Sequence, residues 1–288
     1  MKTVLVSSNC QTGGISAALS QIFWQDRVIP CAFPHVTDDQ LVELISNTDI
    51  WVTSGRFYLD EKCLVSNPNL EIYKFPDLYF AAFHPDLIYA KNNSTGEAVV
   101  PHYNSAICIW AYKNGLSVSE ANLLFTTKAY NELGYFSMWE PSVNRLLVAF
   151  EDCNLDIKLF LPFITRQGCF MYSVNHPKVI TSIRLAKTVA IKMGAHKSVL
   201  DQDINISDGL TDIVWPLYPE IADYYALTTG TYNWKFDGQM ICGLNDYIKY
   251  SYSKYRNLGI KCHDIGFFDR DEALYDRVLG SLSGVKNG

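Results

Sequence analysis

Residues 3–23 read TVLVSSNCQTGGISAALSQIF, and this stretch decides the fold. Residues 3–7 are short, apolar and β-branched, the composition of a buried strand. Ile15, Ala18, Leu19, Ile22 and Phe23 then recur at i, i+3, i+4, i+7 and i+8, which places them on one helical face. Between the two lies Ser8-Asn9-Cys10-Gln11-Thr12-Gly13-Gly14, a tight strand-to-helix turn.

Working outward, residues 27–33 (RVIPCAF) predict a second strand. Thr37 to Asn47 predicts a helix, with Thr37 as N-cap and Gln40 three residues on. Residues 50–53 (IWVT) predict a third strand that ends at Ser54-Gly55-Arg56. A β-α-β-α-β rhythm of this kind implies a parallel sheet with right-handed crossovers. Residues 70–75 and 78–83 carry further strand signals. After residue 100 the character changes. Helices are expected over 105–114, 118–132, 141–152, 178–193, 240–257 and 270–282. Weaker strand signals lie at 157–164 and 169–174, and 215–236 reads as an irregular loop. The expected class is α/β, with a parallel-sheet N-terminal half over 1–100 and a mostly helical half over 101–288, packed together.

Composition bounds the function. Of 288 residues, 48% are hydrophobic and 14% aromatic, enough to build a core and unlike a disordered chain. The formal charge of −6 argues against a general nucleic-acid binder, whose affinity comes from basic patches on phosphate. No apolar run approaches the roughly 20 residues of a membrane span. The chain opens MKTVLVSSNC without a signal-peptide h-region. The 8 Cys are scattered through apolar segments and read as reduced, so a cytoplasmic protein is expected. No Cys or His pair has a zinc-site spacing, so no metal is expected.

Cys10 is the strongest chemical candidate. In open α/β sheets ligands bind outside the carboxyl ends of the strands, and Cys10 follows the first of them. A thiol there faces a helix N-terminus, which is expected to favour the thiolate. Nearby backbone N–H groups are suited to an oxyanion. Gly13 and Gly14 permit close approach of a ligand or another backbone. Asn9 and Gln11 are amides that need partners if buried. The competing reading makes Cys10 one more packed thiol and Gly13-Gly14 an ordinary turn.

A nucleophile of this kind usually has a base. His84, in Phe83-His84-Pro85-Asp86, and His176, in Asn175-His176-Pro177, each follow an apolar segment and precede Pro, and both stay open as candidates. Asp86 is close enough in sequence to orient His84. Ser54 and Arg56 form a second strand-end cluster, and Arg56 is suited to a phosphate or carboxylate. Lys178, Arg184, Lys187, Lys192 and Lys197 make one helix and its exit basic, either for an anionic ligand or as a solvated face.

With Asn9-Cys10-Gln11 after the first strand, Phe83-His84-Pro85-Asp86, and Asn175-His176-Pro177, the chain resembles the WcbI-type polysaccharide biosynthesis enzymes. Ser8 stands where a Gly usually precedes the Asn-Cys-Gln element. The resemblance implies binding of coenzyme A or acetyl-CoA, and O-acetylation of a saccharide acceptor in capsule-like biosynthesis. It also implies a cysteine-centred site, with Asn9, Cys10, Gln11, His84 and Asp86 at the matching positions. Gly13, Gly14, Arg56, His176 and Lys178 are the residues expected to hold the cofactor, and Ser54 joins Asn9 and Gln11 around the substrate. The alternatives are a Cys–His esterase or thioesterase of SGNH-like architecture and a non-catalytic glycan- or nucleotide-binding module.

Overall fold

The computed structural model describes residues 1–33, 35–54, 67–99, 103–236, 238–257, 264–268 and 270–284. The chain forms two compact units, and each takes residues from both sides of residue 100. The first comprises 1–80 and 143–211, the second 81–142 and 212–288.

The first unit is built on four parallel strands, β1 (Thr3–Ser8), β2 (Arg27–Ala32), β3 (Ile50–Ser54) and β4 (Glu71–Phe75), in the order β2-β1-β3-β4. Helix α1 (Thr12–Ile22) carries the chain from β1 to β2, and α2 (Asp38–Ser46) carries it from β2 to β3. The chain therefore steps outward from β1 to β2, then returns to the other side of β1. That reversal is a topological switch point, and the crevice at the carboxyl ends of β1 and β3 is where such sheets bind ligands.

Apolar burial fixes the sheet. Val4, Leu5, Val6, Trp51 and Val52 have no exposed surface, and each such side chain contributes about 1.5–3 kcal/mol. On one side, Leu5, Cys31 and Trp51 pack with Leu41 and Ile45 of α2. The capping box expected at α2 is present: Thr37 Oγ1 accepts from the Gln40 N–H and Gln40 Oε1 accepts from the Thr37 N–H. Helix α1 buries Ile15, Ala18 and Leu19 and packs on the helix Val179–Lys192.

Among the described residues the second unit pairs its strands in short antiparallel ladders: Leu87–Ile88 with Asn104–Ser105, Ala90–Asn92 with Ile265–Phe267, and the hairpin Asn233–Phe236 with Gln239–Cys242. Around them lie helices Ala106–Lys113, Val118–Asn122, Thr127–Glu132, Leu244–Asn257 and Glu272–Ser283. Its core is aromatic, with the Trp234 and Tyr247 rings stacked 3.9 Å apart.

Several local expectations differ from the structure. The 118–132 helix is two helices, because Thr126 leaves the helical conformation and caps a new one through the Ala129 N–H. The 240–257 helix begins as strand and becomes helix only after Gly243, whose φ of +89° breaks the run. Residues 157–164 form a 3-10 turn at Ile157–Leu159, capped by Asp156, and a short helix at Leu161–Ile164. Residues 78–83 form no strand, and 169–174 contribute only an isolated bridge between Met171 and Pro177. The 215–236 segment contains a helix, Pro219–Tyr224, and the first hairpin strand.

The two glycines of the first turn have different reasons. A Cβ on Gly14 would lie 3.1 Å from Ser182 Cβ on the buried face of the Val179–Lys192 helix, whereas a Cβ on Gly13 would meet nothing within 4 Å. Gly13→Ala is thus expected to raise stability by up to about 1 kcal/mol through helix propensity. Gly14→Ala should fall below it by about 1–3 kcal/mol, the cost of overpacking. Urea unfolding of the two variants gives the comparison directly, and equal midpoints would show that Ser182 yields.

Candidate active site

Polar residues gather at the carboxyl ends of β1 and β3. Ser7, Ser8, Thr53 and Ser54 are buried there. Trp51 Nε1 donates to Ser7 Oγ at 2.7 Å, and Ser7 Oγ donates to Thr53 Oγ1 at 2.9 Å. Buried polar groups demand such partners. Ser54 Oγ, at the end of β3, is buried with no partner among the described residues.

The turn that follows β1 is held by its own amides. Asn9 Oδ1 accepts from the Gln11 N–H at 3.0 Å and lies 3.7 Å from Cys10 Sγ. Gln11 is buried, and its side chain is fully engaged. Its Nε2 donates to the carbonyls of Leu78 at 3.0 Å and Asn175 at 3.1 Å, and its Oε1 accepts from the Leu78 N–H at 3.1 Å. The amide expected near the substrate therefore acts through backbone, clamping the turn to the segment after β4 and to the 173–177 loop.

Cys10 itself is exposed. It lines a cavity of about 280 Å³ together with Gly13, Gly14, Pro177, Val179, Ser182, Ser207, Asp208, Gly209 and Leu210. Two helices, α1 and Val179–Lys192, begin at this cavity. The expected thiolate is not what the surroundings favour. Desolvation by the packed neighbours pushes the Cys10 thiol up, its own backbone N–H lowers it in part, and the nearby Asp77 carboxylate raises it further. Desolvation is the leading cause, and the shift is toward the thiol.

Two carboxylates here escaped the sequence reading. Asp77 accepts from Ser8 Oγ at 2.9 Å. Asp208 accepts from Tyr172 Oη at 2.9 Å, from the Val179 N–H at 3.1 Å and from the Leu210 N–H at 3.2 Å. Asp77 follows β4 directly, in Phe75-Pro76-Asp77, so a strand-end rule applied to β4 as well as β1 would have found it. Asp208 carried no such signal.

The basic helix is neither a phosphate site nor a solvated face along most of its length. Lys187 is buried and donates to the carbonyls of Leu200 and Gln202, and burial pushes its pKa down. Arg184 donates to the Leu159 carbonyl, and Lys192 to those of Cys153 and Asn154. Lys178, at the N-terminus, differs: it is half-buried, with its Nζ 5.6 Å from the Tyr172 ring centre. His176 is half-buried in the loop that Gln11 clamps. Its N–H donates to Ser173 Oγ, and its carbonyl accepts from the Tyr172 N–H.

His84 and Asp86 belong to the second unit. His84 is buried, with Nδ1 3.3 Å from the Pro216 carbonyl. Asp86 is fully buried and accepts from Tyr135 Oη and Tyr218 Oη, each at 2.8 Å, and from the Ile107 N–H at 3.1 Å. Burial raises its pKa, while Ser105, Ile107, Tyr218 and Tyr135 pull it back. Arg56 and Gly55 lie outside the described residues, as do His102 and His263. Among the described residues no group of three or more His, Cys, Asp or Glu side chains could hold a metal ion. No helix among them is long and apolar enough to cross a membrane.

The family model described as polysaccharide biosynthesis enzyme WcbI matches residues 3–198, the greater part of the chain. The chain belongs to that family. It is also similar to a solved structure of WcbI, described as a novel polysaccharide biosynthesis enzyme. The likeness covers 99% of this chain and 96% of that one, with a TM-score of 0.67 and 13% identity, and shows a shared fold. That structure is described as the native protein without a disulfide bond between CoA and one of its cysteines. Comparison with curated proteins gives no match. The matched span contains Asn9-Cys10-Gln11, His84, Asp86 and His176, so every candidate of the sequence reading falls inside the family's region.

Two titrations test this geometry. Because the Cys10 thiol is raised above the ordinary value of about 8.5, its alkylation by iodoacetamide should still accelerate as pH passes 9. A rate that levels off below pH 8 would contradict the desolvated setting. Tyr218→Phe removes a hydrogen bond to the buried Asp86 and should cost about 1.5–3 kcal/mol in urea unfolding at neutral pH. The loss should shrink on acidification, since protonation of Asp86 removes the charge that the hydroxyl stabilises.

Proposed function

We propose that the protein is an acyltransferase that takes an acetyl group from acetyl-CoA and delivers it to a hydroxyl of a saccharide. The observation that carries this reading is the position of Cys10: an exposed thiol at the switch point of a parallel sheet, on the wall of a cavity where two helices begin. Family membership supports the saccharide, and the CoA-associated cysteine named for the similar structure supports the thioester.

The cavity suits the neutral end of such a donor better than its phosphates. Pro177, Val179 and Leu210 offer apolar wall, and Asp208 already occupies the first N–H of the Val179–Lys192 helix. A carboxylate at that N-terminus repels an anion that the terminus would otherwise attract. Lys178, at the mouth of this helix, is then the cation for the phosphates among the described residues, with Arg56 as the other candidate.

Because Cys10 rests as a thiol, the covalent route needs a base to take its proton. The sulfur then attacks the thioester carbonyl, the bond from that carbon to the CoA sulfur breaks, and CoA leaves with the proton as the free thiol. A sugar hydroxyl next loses its proton to the base and attacks the acyl-enzyme, giving the ester and restoring the Cys10 thiol. His84 and His176 are the proposed bases. In the direct route the sugar hydroxyl attacks acetyl-CoA itself, and Cys10 only positions the donor.

Binding is tested first. CoA at a hundredfold excess over its Kd should stabilise the fold by about 2.7 kcal/mol and raise Tm accordingly, and Lys178→Glu should weaken that binding about tenfold, or about 1.4 kcal/mol. No rise with CoA would overturn the reading. Labelled acetyl should remain on wild-type protein and not on Cys10→Ala if the route is covalent; near-normal turnover by Cys10→Ala would exclude it. Acetyl-CoA consumed without any acceptor would instead favour a thioesterase.

A further inference from the structure

We propose that the second unit binds a saccharide ring on an aromatic platform formed by Tyr224, Tyr225 and Trp139. The proposal rests on the glycan-directed reading above and adds the place where the sugar sits. Tyr224 stacks on Phe136 with ring centres 4.6 Å apart and planes 26° apart, yet remains 58% exposed. One face is therefore backed by an aromatic ring, while more than half of the side chain remains exposed. Tyr225 meets Tyr224 edge-on at 5.2 Å and packs on Trp139 at 5.3 Å. Phe83 lies behind both, 5.9 Å from Trp139 and 6.3 Å from Tyr225, and its ring is 6.4 Å from that of His84. A row of rings thus runs from an exposed tyrosine to the buried candidate base.

The backbone that presents the platform is strained. Ala226 closes the helix Pro219–Tyr224 with a φ of +54°, a left-handed conformation unfavourable for a residue with a Cβ. The Leu227 N–H donates to the Ala222 carbonyl at 2.8 Å and locks this end, fixing the two tyrosines before it. Tyr225 Oη is buried and has no partner among the described residues. Glu140 and Asp223, the sequence neighbours of Trp139 and Tyr224, are exposed.

These features match the chemistry of a neutral sugar. One face of a pyranose presents C–H groups, which the negative face of an aromatic ring attracts. Its hydroxyls donate well to carboxylates such as Glu140 and Asp223. The same carboxylates disfavour a phosphorylated or uronic acid ring.

Saturation-transfer NMR tests the platform, with the methyl glycosides of glucose, galactose and mannose as probes. Wild-type protein should transfer saturation to the ring C–H protons of at least one of them. Tyr224→Ala should weaken the signal at least about fivefold, or about 1 kcal/mol, while Tyr224→Phe should retain it. If Tyr224→Ala fails to fold, Tyr224→Leu keeps the bulk and removes the ring. No transfer to any of the three glycosides, or equal transfer in the ring-less variant, overturns the proposal. The Tm rise with CoA, measured on the same variants, should be unchanged. If that rise is missing in wild type while sugar binding depends on Tyr224, the CoA reading fails and the platform stands.

Discussion

The amide of Gln11 is the constraint on which the Cys10 turn depends. It joins residues 67 and 164 positions away in sequence, through the Leu78 and Asn175 backbone. All of its bonds are buried or partly buried, where an unpaired amide is costly. Replacing it with a residue of similar bulk but no amide would leave two carbonyls and an N–H without partners. The turn would then lose its reference to the 173–177 loop, and with it the spacing between Cys10 and the Val179–Lys192 helix. The Cys10 turn that lines the cavity is thus tied by one side chain to two segments distant in sequence.

That arrangement also explains why the thiol is not an activated thiolate at rest. A helix terminus is worth about 0.3–1 kcal/mol to a nearby charge, which is less than one pKa unit. Crowding the turn against neighbouring segments desolvates the sulfur, and the ordering brings Asp77 close. Both effects favour the thiol over the thiolate. A resting thiol resists oxidation and casual alkylation. Any reaction of the sulfur as a nucleophile first requires loss of that proton.

Local signals made the first 54 residues legible. The apolar runs of β1 and β3, the one-faced periodicity of α1 and the Thr37–Gln40 capping box are each encoded within a few residues, and each formed. The position of Cys10 followed from them. What was not legible depends on contacts distant in sequence. Asp208 is defined by Tyr172 and Val179, and the role of Gln11 by Leu78 and Asn175. Lys187 looked like part of a charged face, because nothing in its own helix shows that the 200–202 segment places carbonyls over it. The sign of the Cys10 shift was missed for the same reason: the dipole is local and the desolvation is not.

The two hydrogen-bonded carboxylates sit in different surroundings, Asp208 half-buried and Asp86 fully buried. Asp208 has its oxygens met by two backbone N–H groups and a tyrosine, at the start of a helix of 14 residues. Asp86 also accepts several hydrogen bonds, yet burial still pushes its pKa up, because it sits in an aromatic core that solvates charge poorly. Tyr135 and Tyr218 can donate to it only while they remain protonated, and the same burial raises both of them well above the ordinary phenol value. Carboxylate and hydroxyls thus hold one another in place, and Tyr275, 3.2 Å from Tyr135, extends the chain of hydroxyls to the Glu272–Ser283 helix. The segment that carries His84 is thereby anchored two residues further on, at Asp86, while the His84 Nδ1 itself lies 3.3 Å from the Pro216 carbonyl.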